Sequence, residues 1–236
     1  MTKALDFTSG YASRRPPMMG RNAVATSQPL AAQAGMKMLQ LGGNAVDAAI
    51  AAAMALTVVE PTGNGIGSDA FAIVWDGEKL HGLNASGRSP ASWHADLFAG
   101  KTAVPEIGWD AVTVPGAVSG WVALAERFGT LPLTTLAQPA IDYARNGFPV
   151  SPLIGHLWQR GYSKLKDQPG FSACFAPEGR APRVGEIFRN PAQANSLELI
   201  ARTNGEAFYR GELAQKIAAF AKEHGAHLTA EDLANH

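Results

Sequence analysis

The chain carries one cysteine, Cys174, in 236 residues. An intramolecular disulfide and a metal site built from several thiolates are therefore excluded, and the redox compartment stays open. Charge is also scarce: Asp, Glu, Lys and Arg make up 17% of the residues, against about 25% in an average soluble domain. The 20 basic and 20 acidic residues cancel, which removes any bulk electrostatic pull toward nucleic acid or an anionic membrane. Neither is expected as a partner. With 46% hydrophobic residues, either another polypeptide covers part of the surface or the protein is compact and rich in alanine. The longest apolar run, Ala45 to Val59, is interrupted by Asp47 and Thr57. As a helix it reaches about 22 Å, short of a ~30 Å hydrocarbon core. No cationic stretch leads into an apolar run at the N-terminus, so no secretory signal is read. A soluble, cytoplasmic chain is expected.

What is present is mostly helical patterning. Residues 1–25 hold Arg14-Arg-Pro-Pro17 and little periodicity, and read as an extended arm. From Pro29, Leu30, Ala34, Met38 and Leu41 form an apolar stripe, capped by Ser27 or Gln28 and stopped at Gly42-Gly43. Asn44 suits the N-cap of a second helix running to Val59, seven of whose first eleven residues are alanine. A helix so small and apolar all round is expected to be buried in an αα-hairpin. After a glycine-rich loop, Ala70–Trp75 and Lys79–Asn84 read as a β-hairpin across Asp76-Gly77. A short strand is expected at Val112–Val114. A helix follows with Val118, Trp121, Val122, Ala125 and Phe128 inward, then another capped by Thr134 or Thr135. Residues 161–190 show no clear period and read as a surface excursion. Helices return at 197–202 and 213–223, and Thr229-Ala-Glu-Asp232 is a capping-box pattern. That box opens an element four residues before His236, so 26–236 is expected to be part of one domain completed by further chain.

Few residues announce chemistry. A Gly-x-Ser-x-Gly elbow and a P-loop are absent. Gly63-x-Gly65-x-Gly67 follows a helix and opens a strand, the reverse of a dinucleotide loop. His224-Gly-Ala-His227 lacks a nearby third ligand, so no metal is expected, and no cofactor. His81, His94 and His156 read as structural, and Asp47, inside the alanine-rich helix, as a tie to a loop amide. Asp69, after three glycines, is open between ligand contact and turn capping. Arg88, in Asn84-Ala-Ser-Gly-Arg-Ser-Pro-Ala91, follows the hairpin and precedes a proline. That setting suits a fixed guanidinium fork, which matches a carboxylate bidentately.

Several runs together resemble the γ-glutamyltranspeptidase family. They are Gly35-Met-Lys-Met-Leu-Gln-Leu-Gly-Gly-Asn-Ala-Val-Asp-Ala-Ala-Ile50, Gly65-Ile-Gly-Ser-Asp-Ala-Phe71 and Val112-Thr-Val-Pro-Gly-Ala-Val-Ser-Gly120. Leu136-Ala-Gln-Pro-Ala-Ile-Asp-Tyr-Ala-Arg-Asn-Gly-Phe148, Gly205-Glu-Ala-Phe-Tyr-Arg-Gly-Glu-Leu-Ala214 and Leu228-Thr-Ala-Glu-Asp-Leu233 follow in order. The resemblance implies an α+β fold, an αββα sandwich of the N-terminal-nucleophile hydrolases, of which this chain resembles the N-terminal part of the large chain. It also implies a proenzyme that cuts itself before a Thr, which then acts as nucleophile with its own amine as base. The expected partner is the small chain from the same proenzyme, carrying that Thr, in a heterodimer or dimer of heterodimers. No catalytic residue is expected within these residues.

Two departures from the family pattern direct the substrate expectation. The family's carboxylate-gripping Arg lies in Phe-Arg-Glu-x-Ala-Pro, and aligning Ser89-Pro90 with Ala-Pro puts Ser86 at its place, with Arg88 two residues on. In an extended segment both project to one face. The family's Gly-Ile-Gly-Gly-Gly becomes Gly65-Ile-Gly-Ser-Asp69. Arg88, Asp69, Ser68 and Ser86 are therefore the expected substrate contacts. Both changes resemble the branch of γ-glutamyltranspeptidase-like amidases that includes oxamate amidohydrolase, whose substrate is a small acidic amide. A γ-glutamyl hydrolase or transferase, and a non-catalytic carboxylate-binding protein on the same scaffold, are the alternatives.

Overall fold

The computed structural model describes residues 19–236. The expected arm at 1–25 falls largely outside them, and residues 19–26 form neither helix nor strand. The chain is α+β, mostly helical, with two small antiparallel ladders among the described residues.

Helix α1 (Pro29–Gln40) is capped by Gln28, a buried side chain whose carbonyl oxygen accepts from the Leu30 and Ala31 amides. Ser27 instead donates to Glu60 Oε2 at 2.7 Å. Leu41 does not join the apolar stripe: it is the C-cap and exposed, and the buried face is Ala31, Ala34, Gly35 and Met38. Helix α2 (Ala45–Val59) starts at an Asn44–Asp47 capping box. Its small side chains let α1 approach closely, as a Cβ on Gly35 would stand 2.9 Å from the Ala48 carbonyl oxygen. Ala51 and Ala55 are fully buried. One side of α2, at Ala45 and Ala49, is exposed, so the helix is covered on most sides rather than all round.

Asp47 is the hub of this corner. Its carboxylate accepts from Asn44 N at 2.8 Å, the Thr130 hydroxyl at 2.6 Å, Thr130 N at 3.1 Å and Leu131 N at 3.3 Å. Gly43 and Gly129 make room, since a Cβ on either would stand 3.0 Å from a carboxylate oxygen. Burial alone would raise this carboxyl's pKa. The Thr130 hydroxyl and three backbone amides outweigh burial and hold it below the ordinary value. A depressed folded pKa means stability that is present above the unfolded value, about pH 4, and lost as pH falls through the folded one. Asp47→Asn is expected to cost about 2 kcal/mol at pH 7, with the gap to wild type closing below pH 4. Urea unfolding at both pH values checks this, and equal stabilities at pH 7 would remove Asp47 from its structural role.

Strands β1 (Ala70–Trp75) and β2 (Leu80–Ala85) pair antiparallel, Phe71 opposite Asn84, Ile73 opposite Gly82 and Trp75 opposite Leu80. The link is four residues, not two. Asp76 accepts from the Glu78 and Lys79 amides at 2.9 Å, which delays the return strand by one residue. One face of the hairpin lies against α3 (Ala117–Phe128), where Gly120 lets Ala85 come close. Arg127 of that helix donates to His81 Nδ1 at 2.9 Å, and His81 Nε2 meets Asp76 at 2.6 Å. The opposite face presents Phe71, Ile73, Trp75 and Leu80, each more than 60% exposed.

Residues 112–116 form no strand; their one ladder-like bond runs from Val114 N to Arg88 O at 2.9 Å. In α3, Val118 and Trp121 are buried while Val122, Ala125 and Phe128 are half-buried. Helix α4 (Leu133–Asn146) starts from Pro132, so Thr134 and Thr135 lie inside its first turn rather than capping it. The segment read as a surface excursion is ordered. Helix α5 (Pro152–Leu165) buries Ile154 and Trp158, α6 (Phe171–Phe175) receives the Trp158 indole N–H at the Phe175 carbonyl, and β4 (Ile187–Phe188) pairs with β3 (Phe148–Pro149). Helix α7 (Pro191–Arg202) begins six residues earlier than expected because Asn190 and Pro191 start it. It packs on α4, which packs on α2. Helices α8 (Glu206–Tyr209), α9 (Glu212–Glu223) and α10 (Ala230–Ala234) follow, the last opened by Thr229 and Asp232 as the capping-box pattern implies.

Candidate functional site

Three stretches far apart in sequence converge where β2 runs out. The first is the loop after α2, where Ser68 N donates to Gly65 O at 3.1 Å. The Ser68 carbonyl then accepts from Gly116 N at 3.1 Å and Ala117 N at 2.8 Å, so the loop closes the N-terminus of α3. The second is the segment leaving β2, which turns at Asn84 as its side chain accepts from Ser86 N at 2.9 Å. The third is 112–116.

Backbone meets backbone at this junction, and only glycine permits it. A Cβ on Gly87 would stand 1.4 Å from the Val114 carbonyl oxygen, and one on Gly116 1.9 Å from that of Ala85. Asp69 Oδ1 accepts from Gly87 N at 3.2 Å, joining the loop to the Arg88 segment. Asp232 Oδ1 accepts from Ala91 N at 2.8 Å and holds the far end of that segment. The Asp232 carboxyl stays below its ordinary pKa: burial raises it, but bonds from Ala91 and Thr229 prevail.

The structure thus brings all four expected contact positions into one neighbourhood. Ser86 and Arg88 are exposed with half-buried Gly87 between them, the alternation that an extended segment implies. Arg88 forms no ion pair among the described residues. Asp69 is exposed, and its carboxylate partly serves the Gly87 amide. Ser68 is half-buried, with its carbonyl committed to α3.

Sequence reasoning missed a second layer behind them. The Tyr209 hydroxyl donates to Pro115 O at 2.7 Å and accepts from Ser119 N at 2.9 Å. Burial pushes that phenol's pKa up despite the Ser119 bonds. The Ser119 hydroxyl lies 2.8 Å from Gly116 O and 2.9 Å from His236 Nε2, and the His236 ring stacks on Tyr209. Only the Pro115-Gly116 pair and the run Gly205-Glu-Ala-Phe-Tyr209 hinted at this locally. A cavity of about 500 Å³ lies along the same loop, lined by Ile66, Gly67, Trp109, Phe208, Phe220 and Leu228. Of the other histidines, His224 caps α9, and His227 Nδ1 meets Ser92 at 3.3 Å. Among the described residues no helix is long and apolar enough to cross a membrane, and no cluster of His, Cys, Asp and Glu is arranged to hold a metal.

A family model described as Gamma-glutamyltranspeptidase matches residues 31–236. The chain is 38% identical over 227 residues to the glutathione hydrolase-like YwrD proenzyme of Bacillus subtilis, covering 92% of this chain and 43% of that protein. It is 37% identical over 216 residues to the oxamate amidohydrolase proenzyme of Klebsiella pneumoniae, covering 88% of this chain and 40% of that one. The crystal structure of cephalosporin acylase from Bacillus halodurans matches with a TM-score of 0.86 at 52% sequence identity, over 94% of this chain and 45% of that chain. The chain thus spans less than half the length of these relatives.

Proposed function

The chain belongs to the γ-glutamyltranspeptidase family, and on that premise we propose that the protein is an amide-bond hydrolase made as a proenzyme. Cleavage before a Thr outside these residues frees the nucleophile, whose own amine takes the proton as its hydroxyl attacks the amide carbonyl. The cleaved-off small chain carries that Thr, and the two chains share one αββα sandwich as a heterodimer or dimer of heterodimers in the cytoplasm. The apolar face of β1 and β2 supports such a partner, because four large exposed side chains on one short hairpin are costly to leave in water.

These residues contribute the substrate's anchor. The observation that carries the reading is Arg88: exposed, without an ion-pair partner among the described residues, and set on a backbone clamped at Gly87, Val114 and Ala91. A fixed guanidinium fork presented this way selects a carboxylate, with Ser86, Ser68 and Asp69 beside it. A small acidic amide such as oxamate then places its amide carbon next to the anchored carboxylate, and water converts it to oxalate and ammonia. A second reading, a larger acyl amide, is favoured by the apolar cavity along the Ile66-Gly67 loop and by the likeness to a protein named cephalosporin acylase.

The test is made on the full-length protein. Intact-mass measurement is expected to find a second chain beginning with Thr, and an ammonia assay to find faster release from oxamate than from glutamine. Preference for an amide with an apolar acyl group would favour the second reading. A single uncleaved chain that binds oxamate without turnover would leave a carboxylate-binding protein.

A further inference from the structure

We infer that the groove between α5 and α6 is a binding site for an aromatic carboxylate, its ring seated on Phe171 and Phe175 and its carboxylate met by Arg160 and Lys164. The cavity there measures about 420 Å³, and Pro61 and Thr62 from the loop after α2 also line it. None of its lining residues is among those gathered around Arg88, and the site does not depend on that anchor.

The helix itself carries the first sign of a ligand. Glycine is, after proline, the least favourable residue in a helix interior, and α5 holds two. Gly155 is required by packing, since a Cβ there would stand 2.8 Å from Val184 Cγ2. Gly161 is not. A Cβ at 161 would meet nothing within 4 Å, and its backbone lies outside the left-handed region. It does lie on the cavity wall. What this glycine provides is open space, because a longer side chain at 161 would stand in the groove.

The charges give the second sign. Arg160 and Lys164 both line the cavity, four residues apart on α5, and both are exposed. On α8 and α9 the same spacing carries opposite charges, Glu206 with Arg210 at 2.8 Å and Glu212 with Lys216 at 2.5 Å. Two cations so placed repel each other. Neither forms an ion pair among the described residues, and no Asp or Glu among them lines the cavity. A carboxylate between them turns that repulsion into two charge-assisted contacts.

The remaining wall selects a ring. The Trp158 indole N–H donates to Phe175 O at 3.0 Å and holds α6 against α5. The Trp158 and Phe175 rings meet edge to face at 6.3 Å, and Phe171 lies 5.5 Å from Phe175. Both phenylalanines are half-buried, so each keeps an exposed part for a further ring to extend the cluster. An apolar cavity with a few convergent polar groups is the usual make-up of a small-molecule site.

The test is calorimetric titration of naphthoate into the full-length protein. Wild type is expected to bind it at one site, more weakly as salt is added. Naphthylmethanol, with the same ring and no charge, should bind about tenfold more weakly or worse. Gly161→Leu should lose about tenfold or more in affinity while melting no lower than wild type, because leucine suits a helix better than glycine. Replacing Arg160 and Lys164 together by alanine should cost as much, and Arg88→Ala should bind as wild type does. If Gly161→Leu melts lower, the double variant at the exposed cations decides alone. Failure of wild type to bind would mean that the rest of the protein fills the groove, and would overturn the inference. So would wild-type affinity in the double variant, or in a stable Gly161→Leu protein. Loss of binding in Arg88→Ala alone would send the carboxylate to the anchor and strike out the site on α5.

Discussion

Arg88→Ala is expected to lower kcat/KM on an acidic amide by roughly tenfold to several hundredfold, while cleavage of the precursor proceeds normally. A charge-assisted fork in a partly desolvated site is worth about 1.5–3 kcal/mol, and an anion left without its partner costs more. Each 1.4 kcal/mol is about tenfold. Arg88→Lys should recover only part, because an ammonium cannot match both carboxylate oxygens at once. Precursor cleavage acts on the protein's own peptide bond and has no carboxylate to anchor, so it serves as the internal control for folding. Steady-state kinetics on oxamate and on its uncharged analogue acetamide separate the anchor from a general defect: the loss should be confined to the acid. Unchanged kcat/KM on oxamate would move the anchor out of these residues, and the substrate assignment with it.

Gly87→Ala should do more damage to the fold than any exposed substitution nearby. Its new Cβ falls 1.4 Å from a backbone oxygen of Val114, and no flexible side chain is available to give way. The strand exit and residues 112–116 must separate, breaking the bonds from Gly87 N to Asp69 and from Val114 N to Arg88 O. A cost of about 3 kcal/mol or more is expected, read as a lower melting temperature of the full-length protein. Gly82→Ala in the same hairpin is the control, since nothing lies within 4 Å of a Cβ there. A Gly87→Ala protein that melts together with the Gly82→Ala control would show that the contact relaxes without consequence.

The parts of the fold visible in the sequence are those fixed by neighbours in the chain. Gln28 and Asn44 open α1 and α2, and Thr229 with Asp232 opens α10, each through capping bonds to amides two or three residues on. Helix α5 escaped because it buries only Ile154, Gly155 and Trp158 and carries glycines at 155 and 161, so its period is weak. Its order comes from a long-range bond, the Trp158 indole to Phe175 O. Val112–Val114 looked like a strand because three extended residues end at a proline, yet their partner is a single carbonyl of Arg88. The site divides in the same way. Arg88, Asp69, Ser68 and Ser86 were singled out because they depart from a recognisable motif. Ser119, Tyr209 and His236 meet across separations of 90 and 117 residues, and no local pattern encodes such a meeting.

The apolar face of the β-hairpin bears on how the protein is born. Trp75 leaves the ribosome well before His236 is translated, and at about 5–20 residues per second that interval is on the order of ten seconds. The αα-hairpin before it needs only short-range contacts and can close at once. The strands after it cannot hide Phe71, Ile73, Trp75 and Leu80, because nothing among the described residues covers them. A nascent chain therefore displays an alternating, aromatic, uncharged strand with a free edge, the very template for pairing with a neighbour on the same polysome. High-level expression should accordingly be limited by chaperone supply during synthesis rather than by the stability of the finished fold.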